Sequence, residues 1–245
     1  MKVMNSSLYD EVIVLSFIGF IFILSIIYFL ILTYVKRHSK KPYHKISEKC
    51  ILNYMAVMGS GGHTMELSMV IKSLKEKCYM ERYYIIADTD KLSEEKIHTL
   101  EKETFDYGKY VIRKIPRSRE VGQSYLTSIF TTIKAQISSF KIIFELQPNV
   151  LFINGPGTAI PIVFSVFILD LLCIKDCRIL FMESFARVTT LSLTGKILYY
   201  TRLADVFIVQ WKDLVKKYPR AEYIPFFYAP NEDIDGMIIN DKKLN

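Results

Sequence analysis

Cysteine is scarce in this chain: Cys50, Cys78, Cys173 and Cys177 are the four among 245 residues, and their spacing forms no disulfide framework. A cross-linked secreted scaffold is excluded, and a reducing compartment fits. Cys173 and Cys177 have no companion Cys or His pair, so no metal site is expected and the thiols read as small buried hydrophobes. The chain also lacks repeats, low-complexity tracts and any basic stripe interleaved with exposed aromatics. The net charge of +7 therefore points away from nucleic acid, because much of the excess sits in Lys36, Arg37, Lys40, Lys41 and Lys45. Charge itself is missing between residues 12 and 35.

That uncharged run would span about 36 Å as a helix, enough to cross a hydrocarbon core of about 30 Å. A cleaved signal peptide would have a shorter apolar core, a net positive stretch before it and a small-residue cleavage site after it; this run is longer, Lys2 is outweighed by Asp10 and Glu11, and no such site follows. Asp10 and Glu11 precede the run and the Lys/Arg cluster follows it. The positive-inside rule then predicts a single-pass protein with residues 1–11 lumenal, a transmembrane helix at 12–35, a basic juxtamembrane linker at 36–49, and the remainder cytosolic.

Beyond residue 50, short apolar runs alternate with helical patterns, the signature of a parallel sheet covered by helices on both faces. Strands are predicted at 52–58, 83–87, 110–115, 150–154, 178–182 and 206–210. Helices are predicted at 64–77, 93–102, 124–144, 158–173, 191–202 and 212–217, with Ser93 as a candidate N-cap. The apolar run at 160–174 contains Pro161 and Asp170 and reads as a buried or interfacial helix rather than a second span. The expected fold is one doubly wound α/β lobe over 50–218, with a tail at 219–245 available for partner docking.

Ligands of such sheets bind beyond the carboxyl ends of the strands. Four turns there carry chemistry: Gly59-Ser60-Gly61-Gly62-His63-Thr64, Pro116-Arg117-Ser118-Arg119-Glu120, Asn154-Gly155-Pro156-Gly157-Thr158, and Glu183-Ser184-Phe185-Ala186-Arg187. The first lacks Gly-Lys-Ser/Thr, which excludes a Walker phosphate loop, and Thr64 replaces the third glycine of a dinucleotide fingerprint. Its glycines, opening a helix, suit an anion. His63 can take a proton from an attacking hydroxyl or merely bond its own loop. Arg117 and Arg119 can grip a diphosphate or be solvated surface charge. Glu183 can bind sugar hydroxyls, act as a base, or pair with Arg187. Gly155, Gly157 and Thr158 can form a second anion or sugar contact or a fixed tight turn. No cofactor is called for.

Read together, Gly59 to Thr64 with Met65-Glu66, Ile86-Ala-Asp-Thr-Asp90, Ile115-Pro-Arg-Ser-Arg-Glu-Val121, Asn154 to Thr158, Glu183-Ser184 with Arg187-Val188, Thr190-Leu-Ser192, Thr194-Gly-Lys-Ile-Leu198 and Phe207-Ile-Val-Gln-Trp211 resemble one family. It is the membrane-anchoring subunit of the UDP-N-acetylglucosamine transferase that adds the second sugar to dolichyl-diphosphate-linked N-acetylglucosamine in asparagine-linked glycosylation. The resemblance covers roughly residues 55–218. It implies the N-terminal, acceptor-side half of a GT-B glycosyltransferase at the endoplasmic reticulum membrane, whose donor-binding half is a separate soluble catalytic subunit. A chain of this kind is active only as a subunit, and the single lobe expected from length agrees. A related bacterial transferase, acting on a lipid-linked peptidoglycan precursor, has a similar Gly-Gly-x-Gly-Gly-His loop facing its diphosphate acceptor, matched here by Gly61, Gly62 and His63. By the same likeness His63 and Glu183 are catalytic, Gly59, Gly61, Gly62, Thr64, Arg117 and Arg119 hold the acceptor diphosphate, and Asn154, Gly155, Gly157 and Thr158 hold the acceptor sugar. The chain departs from the family where it continues through Ile224-Pro-Phe-Phe-Tyr228 to a polar end, which leaves the docking surface unassigned. Two rival readings are a membrane scaffold with relic glycine loops and a self-sufficient glycosyltransferase.

Overall fold

The structure is a computed structural model and describes residues 6–38, 52–74, 79–105, 109–118 and 123–225. It divides into two compact units, Met1–Ser47 and Glu48–Asn245. The first is built on helix α1, Ser6–His38, whose 33 residues extend about 50 Å at about 1.5 Å per residue. Its stretch Glu11–Phe29 is long and apolar enough to cross a membrane, and none of it is buried within the molecule. The described apolar side chains between Val12 and Phe29, with Ile31, Tyr34 and Val35, stand exposed round the helix, the pattern that lipid rather than a protein core would satisfy. Residues 39–49 of the predicted basic linker lie outside the described residues.

The second unit holds a seven-stranded sheet of order β3-β2-β1-β4-β5-β6-β7, every neighbouring pair parallel. The strands are β1 (Leu52–Val57), β2 (Tyr79–Ala87), β3 (Lys109–Ile115), β4 (Val150–Ile153), β5 (Arg178–Met182), β6 (Val206–Val209) and β7 (Glu222–Tyr223). Between them run α2 (Gly62–Ser73), α3 (Lys91–Thr104), α4 (Tyr125–Leu146), α5 (Ala159–Leu171), α6 (Leu193–Thr201) and α7 (Lys212–Lys217). Successive strand side chains point to opposite faces. Tyr54, Ala56 and Met58 pack with Leu67 and Ile71 of α2 and Ile97 and Leu100 of α3. Met55 and Val57 share the other face with Ile143 of α4, Ile162 and Val166 of α5, Leu198 of α6 and Leu214 of α7. Burial on both faces is why these strands read as continuous apolar runs. It bears out the doubly wound parallel lobe that the alternation predicts.

Local differences have local causes. β2 starts at Tyr79 rather than at 83, because Glu81 and Arg82, which look like loop residues, pair in register with Lys109 and Tyr110 of β3. Arg82 is accepted inside a strand because Glu101 of α3 meets it: Nε donates at 2.9 Å and 3.0 Å, and Nη2 at 2.7 Å, to the buried carboxylate. Burial alone would lower the Arg82 pKa, but the carboxylate outweighs it and the net shift is upward. Helix α3 is capped by Asp90, whose carboxylate accepts from the Ser93 N–H at 3.1 Å, so Ser93 lies within the first turn and is not the cap itself. The sheet also runs past residue 218 to the two-residue β7, too short to show a periodicity. Helix α5 buries Ile162, Val163, Val166 and Leu169, in line with a core helix rather than a span.

Candidate functional site

The strand order reverses direction between β1 and β4: successive connections run outward from β1 through β2 to β3, then return to β4 and continue the other way. A crevice opens above the carboxyl ends at such a switch point. Two helices start there, α2 from the β1 turn and α5 from the β4 turn. Asp90, Ser124 and Ser192 cap α3, α4 and α6 through their side chains, whereas α2 and α5 have no side-chain cap. In α5 the Ala159 and Ile160 N–H groups donate to the Pro156 and Gly157 carbonyls at 3.0 Å and 3.3 Å and Pro161 has no N–H, so it is the first turn of α2 that can offer N–H groups and a positive dipole end to an anion.

The first loop is braced from below. Gly59 and Thr64 are buried, while Ser60, Gly61 and Gly62 are exposed. Gly61 adopts φ +65°, a conformation that favours glycine and turns the chain into α2. The Thr64 hydroxyl donates to the Gly59 carbonyl and lies 2.7 Å from the Ser93 hydroxyl, which in turn reaches Asp90 at 2.8 Å. Thr64 therefore shapes the loop from inside the lobe, and any diphosphate would meet the loop's exposed backbone instead.

The second loop closes against the first through a histidine. Gly155 has φ +54°, and a Cβ there would sit 2.6 Å from Cε1 of His63, so the imidazole lies directly on the glycine. A Cβ on Gly59 would likewise meet Cβ of His63 at 2.9 Å and Pro156 at 3.1 Å. Asn154, at the end of β4 and fully buried, donates through Nδ2 to the His63 carbonyl at 2.7 Å and to Oε2 of Glu66 at 3.2 Å. Glu66 Oε1 accepts from the Ser184 hydroxyl at 2.8 Å and from the Phe185 N–H at 3.1 Å. His63 Nδ1 stands 3.7 Å from Glu66 Oε2, an ion-pair distance beyond that of a hydrogen bond. Burial by itself would raise the Glu66 pKa. The nearby imidazole, the Ser184 hydroxyl and the Phe185 N–H together outweigh burial and lower it, so the carboxylate stays ionised.

Glu183 follows β5 as the sequence predicts, but its side chain turns into the lobe. It is fully buried, with Oε2 accepting from the Ser192 N–H at 2.8 Å and Oε1 from the Ser184 N–H at 3.1 Å. It thereby ties the loop 184–192 to the start of α6. Desolvation raises its pKa despite these bonds and a weaker pull from Arg187. The folded lobe thus holds this proton more tightly than the unfolded chain does. Glu183 consequently costs stability as pH rises from the usual carboxyl value of 4.5 through its raised value. In urea titrations from pH 4 to pH 7, Glu183→Gln is expected to gain stability relative to the parent as pH rises. An unchanged difference across that window would overturn the assignment.

Of the other predicted site residues, Arg117 is half-buried at the end of β3, with its Nε lacking a hydrogen-bond partner among the described residues. β3 is two strands from β1, about 10 Å at the usual strand spacing, so Arg117 lies on the same rim but off the crevice. Arg119 lies outside the described residues. Gly157 is exposed and Thr158 half-buried at the start of α5. Gly59, Gly61, Gly62, His63, Asn154 and Gly155 come together at the switch point. Glu66 joins them, although the sequence marks it only as part of the Met65-Glu66 block, with no role of its own. The available signal was its i,i+3 spacing from His63, which puts both side chains on one helix face.

Fold and site define a class: a doubly wound parallel α/β lobe with a glycine-lined crevice at its topological switch point. The family model described as "Oligosaccharide biosynthesis protein Alg14 like" matches residues 54–227, and the chain belongs to that family. A Mus musculus relative named UDP-N-acetylglucosamine transferase subunit ALG14 is 43% identical over 188 residues, covering 74% of this chain and 85% of that one. Relatives of the same name from Homo sapiens and Yarrowia lipolytica are 45% and 42% identical, covering 71% and 69% of this chain and 82% and 78% of their own. Among solved structures, Acinetobacter baumannii MurG aligns at TM-score 0.49 and 18% identity over 70% of this chain and 44% of its own.

Proposed function

We propose that this protein is the acceptor-side subunit of a UDP-N-acetylglucosamine transferase, anchored by α1 in the endoplasmic reticulum membrane with residues 1–11 lumenal and the lobe cytosolic. The reading is supported by one observation above all: His63 sits on the first turn of α2, which no side chain caps, directly against the Gly155 turn, in a chain of the Alg14 family. The diphosphate of a dolichyl-diphosphate-linked N-acetylglucosamine would lie on the exposed backbone of Gly61 and Gly62, with the Gly155–Thr158 turn on the sugar side. Arg117 and Arg119 would screen the diphosphate from the rim. A soluble catalytic subunit, recruited to the membrane by this chain, would bring UDP-N-acetylglucosamine.

Transfer would then be an inverting displacement. The acceptor 4-hydroxyl attacks C1 of the donor sugar, the C1–O bond to UDP breaks, and the hydroxyl proton passes to the His63 imidazole. The lobe contributes orientation and a proton acceptor, and the leaving UDP is held by the partner. No step calls on a metal held by this chain.

The test is reconstitution in lipid vesicles of the full chain with the soluble protein that co-purifies with it. Transfer of N-acetylglucosamine to a lipid-linked acceptor is expected from the pair and from neither protein alone. Transfer by this chain alone would establish the self-sufficient enzyme instead. Transfer undiminished by Gly62→Asp, with the complex intact, would establish a scaffold with a relic loop.

A further inference from the structure

Glu66 is the most heavily committed polar side chain at the crevice, and nothing in the transfer chemistry above uses it. It is only 9% exposed, yet it receives contacts from three separate parts of the lobe: His63 on its own helix, Asn154 at the end of β4, and Ser184 with Phe185 beyond β5. A carboxylate that stays charged while buried needs such donors. Its Oε1 is satisfied by two of them, and its Oε2 has Asn154 and the imidazole.

The histidine is asymmetric in a matching way. Its side chain is 33% exposed, but Nδ1 is enclosed, faces Glu66, and has no hydrogen-bond partner among the described residues. Nδ1, and not Nε2, is the ring nitrogen enclosed without a partner, which leaves Nε2 as the nitrogen for a substrate. Gly155 beneath the ring and the Asn154 bond to the His63 carbonyl restrict how the imidazole can turn. A contraction of less than 1 Å would bring the 3.7 Å separation to an ordinary hydrogen bond, the kind of tightening that catalytic contacts undergo when substrate binds.

We infer that Glu66 is a positioning residue for His63: it holds the proton on Nδ1, keeps Nε2 as the acceptor towards the crevice, and stabilises the imidazolium formed when Nε2 takes the substrate proton. The inference rests on the reading of His63 as the proton acceptor. It assigns the Ser184 hydroxyl and the Phe185 N–H a part in the same task, because they fix the carboxylate that fixes the ring. Among the elements packed around the pair, α3 packs on α2 and brings Asp90 to the underside of the loop, where its carboxylate is taken by Ser93. The β4 turn brings Asn154, Gly155 and Pro156, none of which titrates. The β5 loop brings Arg187 and Glu183, the latter turned inward to Ser192.

The experiment compares the reconstituted complex carrying wild-type chain, Glu66→Gln, His63→Ala and the double variant, at saturating UDP-N-acetylglucosamine and varied lipid-linked acceptor. Glu66→Gln is expected to lower kcat at least about 10-fold, and by no more than the span of about 10²–10⁴-fold that the general base itself contributes, while the acceptor KM changes less than about twofold. The acid limb of its pH–rate profile moves to lower pH, because the imidazolium loses its counter-charge. In the His63→Ala background the same substitution should change kcat by less than about twofold, since a residue acting through His63 has nothing left to act on. Equal losses in both backgrounds, or an acid limb that does not move, would overturn the inference and leave Glu66 a brace of the loops. If His63→Ala itself leaves kcat intact, the proton-acceptor reading fails first and separately. Should Glu66→Gln not fold, Ser184→Ala loosens the carboxylate without removing it. It should then show a smaller kcat loss with the same dependence on His63, and additivity there would overturn the inference as well.

Discussion

Replacing His63 by alanine is expected to lower the kcat of the reconstituted transferase by about 10²–10⁴-fold, the usual contribution of a positioned general base. The substitution takes away the ring and little else. The loop keeps Gly61 at φ +65°, the Thr64 and Ser93 hydroxyls still brace Gly59, and Asn154 still donates to the main-chain carbonyl of residue 63. Acceptor binding through the exposed backbone should survive, so the loss belongs in kcat rather than in KM. Initial rates of transfer at saturating donor, with thermal unfolding as a control, measure it. Gly155→Ala provides a second route to the same result. Its Cβ would meet the imidazole at 2.6 Å and would also carry a side chain at φ +54°, so the ring must move although its chemistry is unchanged. A loss under about threefold for His63→Ala would dismiss the base, because a general base is worth far more than that.

The second large effect is on stability and lies far from the crevice. Glu101→Leu leaves the Arg82 guanidinium buried, 2% exposed, beneath the Phe105 ring at 4.0 Å and without its carboxylate. Taking the carboxylate out of a buried ion pair costs about 3–5 kcal/mol. Against a total stability of about 5–15 kcal/mol this is a large fraction, and for a lobe of this size it should lower Tm by roughly 6–20 °C. The Tyr84 hydroxyl also loses an acceptor in Glu101, although it keeps Tyr54 at 2.8 Å. The double variant Arg82→Met with Glu101→Leu removes both charges and should recover most of the loss, because the desolvation cost of the pair disappears with it. Chemical denaturation of the four combinations gives the coupling directly. If Glu101→Leu alone costs under about 1 kcal/mol, the pair behaves like a surface ion pair and the account of it as buried is mistaken.

The two cases differ in how far the residues declare themselves in the chain. Arg82 stands just before the run Tyr83-Tyr84-Ile85-Ile86 and reads as a loop residue, so its burial, and with it the need for a partner, shows only in the fold. That the partner is Glu101 follows only from α3 lying over β2. His63 is conspicuous in sequence because it follows two glycines at the mouth of a helix. Its neighbour Glu66 is not, since Met65-Glu66-Leu67-Ser68 reads as an ordinary amphipathic turn. Its contacts with Asn154 and Ser184 join residues 88 and 118 positions away. No local pattern carries information about separations of that size. Thr64 and Glu183 make the converse point. Both sit in the right turns to touch a ligand, and both side chains are turned into the lobe, towards Ser93 and Ser192.

The sequence by itself determined the elements that depend on neighbours along the chain. These are the uncharged helix at the N-terminus, the buried parallel strands with their intervening helices, and the glycine turn at which an anion can meet a helix start. Each follows from a periodicity or a φ requirement within a few residues, and such preferences act before the chain has folded. Only the tertiary structure decided which rim side chains face the crevice. Strand order placed the turns of β1 and β4 side by side, and packing turned Glu183 inward. The same packing brought Glu66 up behind His63. Those outcomes depend on contacts between distant segments, which exist only once the sheet has assembled and the helices have closed over it.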